Sequence, residues 1–425
     1  MEKKAPVFAV NETADGEGVV RSEGKTVFVR GMMRGETGEI EITQEEKRFS
    51  RARLSSLAVA SPERIRPECP YYESCGGCSL GHVTAAHELT LKKERVRDAL
   101  ERIGGFSEEE YVLSDTVGGK RTGYRNKAEL RFRPGPGFGY VGRDGGFCPV
   151  EDCLLLPKEM NRLLSSKAVK SVPGLSGCVI RTNRKGESML ILETREEISL
   201  PPDLLREYGV TSLWRLIPKE KPVHALDGEL IHLWGESFLT EEIAGLSFRL
   251  SPRSFFQINR EIAEKLYRHA SMLAGLREKD LAVDAYSGVG AIGMTAAKSA
   301  GEVVGVEVIP EAVKNAEEAA EQNGIGNISF LAGRCEELLP RDSRLRRAKA
   351  IFLDPPRKGC DRRMLEAIVR AGIERIVYVS CDPATLARDL RILKESGYRL
   401  TSVTPYNMFP MTGHVESVVL ITRAG

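Results

Sequence analysis

The chain has 425 residues, 41% hydrophobic and 29% charged, which is enough apolar material for two or three cores and too much for a disordered chain. Lys plus Arg total 62 against 60 Asp plus Glu, so the net charge of +2 excludes a globally basic nucleic-acid binder, and any RNA site must be local. The N-terminal MEKKAPVFAV has no signal-peptide apolar run and no membrane-length apolar stretch occurs after it, so a cytoplasmic protein without a membrane partner is expected.

In chain order, the first segment (1–57) alternates apolar and polar residues with glycine punctuation at Gly16–Val20, Lys25–Arg30 and Glu39–Ile42, which predicts a small OB-like β-barrel. From Lys47 to Arg66 six basic residues (Lys47, Arg48, Arg51, Arg53, Arg64, Arg66) face one acid, Glu63, so RNA binding by the barrel is plausible on local charge. Three of the nine cysteines then fall within ten residues, as Cys69, Cys75, Gly76, Gly77 and Cys78, with Cys153 and Cys148 as candidate fourth partners downstream. In a reducing compartment such clusters bind metal or act as nucleophiles, and four thiolates suit either zinc or an iron-sulfur cluster; spacing alone does not separate the two. Glu88–Ile103 has helical apolar spacing at Leu91, Val96, Leu100 and Ile103, stopped by Gly104–Gly105. Residues 106–250 mix short strands with Gly and Pro turns, and 58–250 as a whole reads as a mixed α+β central domain.

From about 281 the pattern becomes alternating strands and helices. Apolar runs at Leu281–Tyr286, Val303–Val308, Ile328–Leu331, Ala350–Leu353 and Ile376–Ser380, then Ser402–Tyr406 and Val415–Thr422, predict an α/β doubly wound sheet within a Rossmann-like domain over 251–425. Ligands in such sheets sit at the carboxyl ends of the strands. The first run leads into Gly288-Val289-Gly290-Ala291-Ile292-Gly293, a turn that brings a ligand close to the backbone, and Glu307 ends the second run where a carboxylate would meet ribose hydroxyls. A dinucleotide fold would share both features. The fourth run ends in Asp354-Pro355-Pro356, a turn that resembles those of methyltransferases acting on planar nitrogenous substrates, and this selects the methyltransferase reading.

The fifth run delivers Cys381-Asp382-Pro383 to the same rim, and Glu416 begins the last one. A thiolate adding to C6 of uracil would make C5 an enolate carbon able to accept a methyl group, and a carboxylate would then remove the C5 proton before the thiol leaves. Cys381 as nucleophile and Glu416 as base fit those two steps.

The segments Ser254–Asn259, Asp354–Gly359, Ser380–Asp389 and Met408–Glu416 resemble the RNA uracil-C5 methyltransferase family, and the N-terminal barrel resembles a TRAM domain, so the likeness spans nearly the whole chain. The resemblance implies a class I methyltransferase domain, S-adenosylmethionine contacts from Gln257, Tyr286, Glu307 and Asp354, and an aromatic, Phe255, near the target base. It also implies a [4Fe-4S] cluster on Cys69, Cys75, Cys78 and Cys153. Cys153 is preferred to Cys148 because Cys153-Leu154-Leu155 matches the family pattern. Ala291 departs from members that carry Asn there. The implied partner is RNA, with 23S ribosomal RNA the expected substrate of a monomeric enzyme and the T-loop of transfer RNA the alternative. A cytosine-C5 enzyme would place a cysteine directly after the D-P-P turn, where this chain has Arg357; a non-catalytic iron-sulfur RNA-binding protein would not need Cys381 and Glu416 together.

Overall fold

The computed structural model describes residues 6–22, 24–221 and 223–423. Residues 1–5, at the start of the stretch that bears on a targeting signal, lie outside the described residues.

Five strands, β1 (Val7–Glu12), β2 (Glu17–Ser22), β3 (Lys25–Arg30), β4 (Thr37–Glu45) and β5 (Phe49–Val59), close into a barrel in the order β1-β2-β3-β5-β4. Strand alternation points Ala9, Val20, Val27, Val29 and Ala52 inward, and Met32 plugs the interior. The basic run is less free than its charge count suggests. Arg51 pairs with Glu17 at 2.7 Å, Arg53 with Glu41 at 2.6 Å and Arg64 with Glu36 at 2.5 Å, because closing the barrel sets acids beside those cations. Lys47, Arg48 and Arg66 are exposed.

After the cysteine loop, α1 (Ala85–Arg102) starts at Thr84, whose hydroxyl accepts from the His87 N–H at 3.2 Å. A short strand, β6 (Val112–Leu113), comes next. The central segment builds a seven-stranded sheet from β7 (Lys127–Arg133), β8 (Gly137–Val141), β9 (Phe147–Pro149), β10 (Gly177–Thr182), β11 (Ser188–Glu193), β12 (Val210–Pro218) and β13 (Gly228–Gly235), ordered β13-β12-β11-β10-β7-β8-β9. Helices α2 (Lys158–Ser165), α3 (Lys167–Lys170) and α4 (Pro202–Glu207) put Met160, Leu163, Val169 and Leu205 on one face of it. Every residue of β10 is buried, so it lacks the alternation that marks a half-exposed strand, which is why this region is hard to trace from sequence. A hairpin of β14 (Leu239–Ile243) and β15 (Leu246–Leu250) leads to α5 (Arg260–Ala274).

The remainder alternates β16 (Leu281–Asp284), α6 (Ala291–Ala297), β17 (Glu302–Glu307), α7 (Pro310–Gln322), β18 (Ile328–Ala332), α8 (Cys335–Arg341), β19 (Ala350–Leu353), α9 (Arg362–Ala371), β20 (Arg375–Ser380) and α10 (Pro383–Glu395), ending in β21 (Tyr398–Tyr406) and β22 (Glu416–Arg423). The sheet order is β18-β17-β16-β19-β20-β22-β21-β6, parallel except for β22, which runs antiparallel to both neighbours. Each strand lies where its apolar run predicted, with ends shifted; β21 begins four residues earlier than Ser402. Val96 and Leu100 of α1, with Phe106 and Tyr111, join the core of this sheet rather than that of the central one, and β6 pairs with β21. Among the described residues no helix is long and apolar enough to cross a membrane.

Candidate active site

The strand order reverses between β16 and β19, and a crevice opens at the carboxyl ends of the strands at such a point. Asp284 ends β16 only 1% exposed, and burial pushes its carboxyl up to about 7. Its Oδ2 accepts from the Gly293 N–H at 2.9 Å, but its Oδ1 is buried without a partner, as is the hydroxyl of Ser287. Gly290 precedes α6 with φ +82, a left-handed conformation that glycine adopts freely. A Cβ on Gly288 would meet nothing within 4 Å. Glu307 is fixed between two backbone donors, Gly288 N–H at 3.0 Å and Ile309 N–H at 2.9 Å. Orphaned buried acceptors, an open glycine turn and a pinned carboxylate fit a ribose and an amino acid moiety, the two polar parts of S-adenosylmethionine.

Tyr286 and Gln257 stand differently from one another. The Tyr286 hydroxyl donates to Cys360 Sγ at 3.7 Å, which aims its ring at the loop after Asp354. Gln257 is buried, and its carbonyl accepts from Asn126 Nδ2 at 2.9 Å, tying the Ser254–Asn259 segment to the central sheet. Phe255, two residues earlier, is 76% exposed.

Strand β20 ends at Ser380 and hands Cys381 to the rim, while Asp382 is occupied in capping α10 through the N–H groups of Ala384 and Thr385, both at 3.0 Å. Burial pushes the Cys381 thiol up to about 11, and the negative charges of Glu416 and Asp354 add to this while Arg357 opposes it. Glu416, 5% exposed, is raised to about 8 by burial and by Asp354, again opposed by Arg357. Burial alone raises Asp354 to about 7. Cys381, Glu416 and Asp354 therefore share one poorly solvated patch with Arg357 as its cation. The sequence marks Arg357 only as a position lacking cysteine. Its loop is bound to α10: Thr385 Oγ1 donates to the Arg357 carbonyl at 3.1 Å, Arg388 to that of Lys358 at 2.9 Å, and the Cys360 N–H donates to Asp389 at 2.8 Å.

The segment before Glu416 hangs on a buried ion group. Glu88 and Lys92, both 0% exposed, pair at 3.2 Å, and Arg121 lies 3.1 Å from Glu88. Glu88 Oε1 accepts from the Met411 N–H and from Asn407 Nδ2, each at 2.9 Å, and Lys92 donates to the Phe409 carbonyl at 3.0 Å and to Asn407. The Met411 carbonyl in turn accepts from the N–H groups of Ser79 (3.0 Å) and Leu80 (2.9 Å), just after Cys78.

Cys69, Cys75, Cys78 and Cys153 line a single cavity of about 930 Å³, which Phe255 also lines. Burial raises the Cys78 thiol to about 12, with smaller contributions from the charges of Cys153, Cys75 and Cys69. Gly76 is glycine because a Cβ would lie 2.9 Å from the Val141 carbonyl oxygen. Asn161 pins Cys153 by accepting its N–H at 3.0 Å and donating to its carbonyl at 3.1 Å. Arg143 Nε donates to the Tyr72 carbonyl at 2.9 Å and its guanidinium also reaches the Cys78 carbonyl. Cys148 is buried with its thiol against Ser74 Oγ at 3.3 Å. Among the described residues no three His, Cys, Asp or Glu side chains converge on a position for one metal ion. Asn161, Arg143 and Lys92 carry no motif, and only a structure reveals them.

The sheet order and this crevice define a class I, S-adenosylmethionine-dependent methyltransferase. A family model described as tRNA (uracil-5-)-methyltransferase matches residues 238–424. An uncharacterized RNA methyltransferase of Clostridium acetobutylicum is 37% identical, with 96% of this chain and 94% of that protein covered. One from Caldanaerobacter subterraneus subsp. tengcongensis is 34% identical over 96% of each. Among solved structures, the Pyrococcus abyssi tRNA (uracil-54, C5)-methyltransferase in complex with S-adenosyl-L-homocysteine superposes with a TM-score of 0.78 at 25% identity, covering 98% of this chain and 99% of that one. The chain belongs to the RNA uracil-C5 methyltransferase family.

Proposed function

We propose that the protein methylates C5 of a uridine in 23S ribosomal RNA through a covalent bond between Cys381 and C6. The observation that carries the mechanism is the shared patch of Cys381, Glu416 and Asp354, at the carboxyl ends of β20 and β19 and the start of β22, beside the crevice. Asp284, Ser287, Glu307 and Asp354, with Gln257 and Tyr286, would hold S-adenosylmethionine, which supplies an electrophilic sulfonium methyl group when bound. Cys381, as the thiolate, adds to C6 and makes C5 nucleophilic; once C5 carries the methyl group, Glu416, raised to about 8 and so able to gain and lose a proton near neutral pH, takes the C5 proton, and the C6–S bond breaks to release the thiolate. Arg357 offsets the negative charge of the patch. Phe255, exposed at the cavity mouth, offers a face for the base or a neighbour.

Cys69, Cys75, Cys78 and Cys153 would hold a [4Fe-4S] cluster, a reading supported by four thiols around one cavity and by the family resemblance. Its part is to order the cysteine loop and, through Ser79 and Leu80, the Met411 segment; the methylation itself needs no redox step. A division into a barrel over 1–57 that binds RNA, a cysteine-bearing central unit over 58–250 and a methyltransferase unit over 251–425, working as a cytoplasmic monomer, completes the proposal.

The ribosomal substrate rests on the combination of barrel and four cysteines. Similarity over nearly both whole chains to a transfer-RNA uracil-54 enzyme favours the T-loop of transfer RNA as a second reading. Mapping 5-methyluridine in both RNA classes from a deletion strain decides between them. The mechanism is tested by two variants that must fail differently. Cys381→Ala should neither methylate nor trap RNA, whereas Glu416→Gln should accumulate a methylated RNA adduct that survives denaturing electrophoresis; normal turnover by Glu416→Gln would refute the assignment.

A further inference from the structure

Arg181 lies on β10 and is 4% exposed, yet it belongs neither to the reaction centre nor to the cysteine loop. Nη2 of its guanidinium donates to the Ser254 carbonyl at 2.7 Å, and Nη1 is buried with no partner. The two acids whose charge it feels are engaged elsewhere, Glu241 by Arg260 at 2.5 Å and Glu129 by Lys127 at 2.7 Å. Burial pulls Arg181 below the usual arginine range, to about 10, against the raising effect of the Glu241 and Glu129 charges. Buried charges in proteins are ordinarily paired, and a stranded charged donor costs more than the roughly 1–3 kcal/mol of a neutral one.

The unpaired nitrogen belongs to a side chain lining the 930 Å³ cavity, together with Arg125, Lys127, Arg253 and the exposed ring of Phe255. Arg181 pairs across the sheet with Lys127 of β7, while Cys75 bridges to Gly142 beyond β8, so Arg181 and Cys75 stand two strand spacings apart, roughly 10 Å. A space of this size exceeds what the cysteines enclose and suits a nucleotide-sized ligand.

We propose that the Arg181 end of this cavity is a subsite for a nucleotide flanking the target uridine, with Arg181 binding its phosphodiester and Phe255 offering a stacking face. The subsite rests on the RNA uracil reading. A buried guanidinium with one unpaired donor calls for an anion, and the RNA chain carries one per nucleotide; Arg125 and Arg253 add positive charge to the same cavity, whereas Lys127 is balanced there by Glu129.

The test scans a uridine-bearing RNA stem-loop, one that the wild-type protein binds, with single methylphosphonate linkages that neutralise one phosphate at a time. Wild-type affinity should fall about tenfold or more at one linkage beside the target, the size of a charge-assisted contact. Arg181→Gln should bind the unmodified RNA more weakly by a similar factor and be indifferent to that linkage, while Arg181→Lys should keep part of the sensitivity. S-adenosylmethionine affinity, read by calorimetry, checks that the variants fold. Equal sensitivity of wild type and Arg181→Gln at every linkage overturns the proposal. So does an Arg181→Gln protein with altered iron content and unaltered RNA affinity, which would assign Arg181 to the cysteine end. Absence of methyl transfer to bound RNA by the wild type would instead sink the parent reading and leave the phosphate scan standing.

Discussion

Replacing Glu88 by Ala should be among the most damaging single changes outside the reaction centre. The carboxylate neutralises Lys92, which is wholly enclosed, and accepts from the Met411 N–H and the Asn407 amide. Arg121 is held to it by charge at 3.1 Å rather than by an aligned hydrogen bond. Removing one partner of a buried pair costs about 3–5 kcal/mol, and each stranded donor adds about 1–3 kcal/mol. The loss is capped because Lys92, already pulled down to about 8 by burial, can shed its proton once Glu88 no longer favours the charged form. A net loss of about 4 kcal/mol results, or ~8–16 °C in Tm for a cooperative unit of 150–250 residues. Glu88→Gln, which keeps an acceptor oxygen but not the charge, should fall between Ala and wild type. Glu88→Leu with Lys92→Met should recover part of the loss, since it removes the stranded ammonium but leaves the Met411 N–H and the Asn407 amide without their acceptor. Scanning calorimetry gives the stabilities, and single-turnover kinetics should show adduct release slowed more than methyl transfer, because the Asn407–Val415 segment leads into Glu416. A loss under about 1 kcal/mol for Glu88→Ala would refute the argument, as would a double replacement no more stable than the single one.

Alkylation of Cys381 in the free protein, read by mass spectrometry of its peptide, should accelerate with pH up to about 11, where the thiol ionises. Glu416 raises that value by its negative charge, so Glu416→Gln should lower it and speed alkylation at a fixed pH near 8; slower alkylation would contradict the shared patch. Glu307→Ala removes the carboxylate that fixes Gly288 and Ile309 and should weaken S-adenosylmethionine binding by about 10- to 100-fold in calorimetry, with RNA affinity kept. Since Arg51, Arg53 and Arg64 are paired, replacing Lys47, Arg48 and Arg66 by Ala should reduce the salt dependence of RNA binding by at most about three in slope, and an unchanged slope would remove the barrel's cations from the interface.

The elements that carry the proposed reaction centre were legible because they depend on local pattern. A parallel strand buried on both faces is a short apolar run, and the residues at its carboxyl end stand at the rim, so Glu307, Asp354 and Cys381 could be placed from position alone. The barrel's alternation was equally local. Other features rest on residues far apart in sequence. The chain between the barrel and β7 sends α1 and β6 into the C-terminal sheet, because the apolar stripe of Val96 and Leu100 finds its cover there, and a stripe does not name its partner. Ion pairing of Arg51 and Arg53 depends on strand register, and register is a property of pairs. Glu88 and Lys92 stand four residues apart on α1, and only the fold encloses them against Asn407 and Met411. Nothing in the sequence singles out Arg181, and only the fold buries it under the Ser254 segment. Sequence by itself determined the periodicities, the turn chemistry and the types of reactive group; burial, and with it the raised carboxyls of Asp284, Asp354 and Glu416 and the stranded donor of Arg181, was decided only when distant segments excluded water from one another.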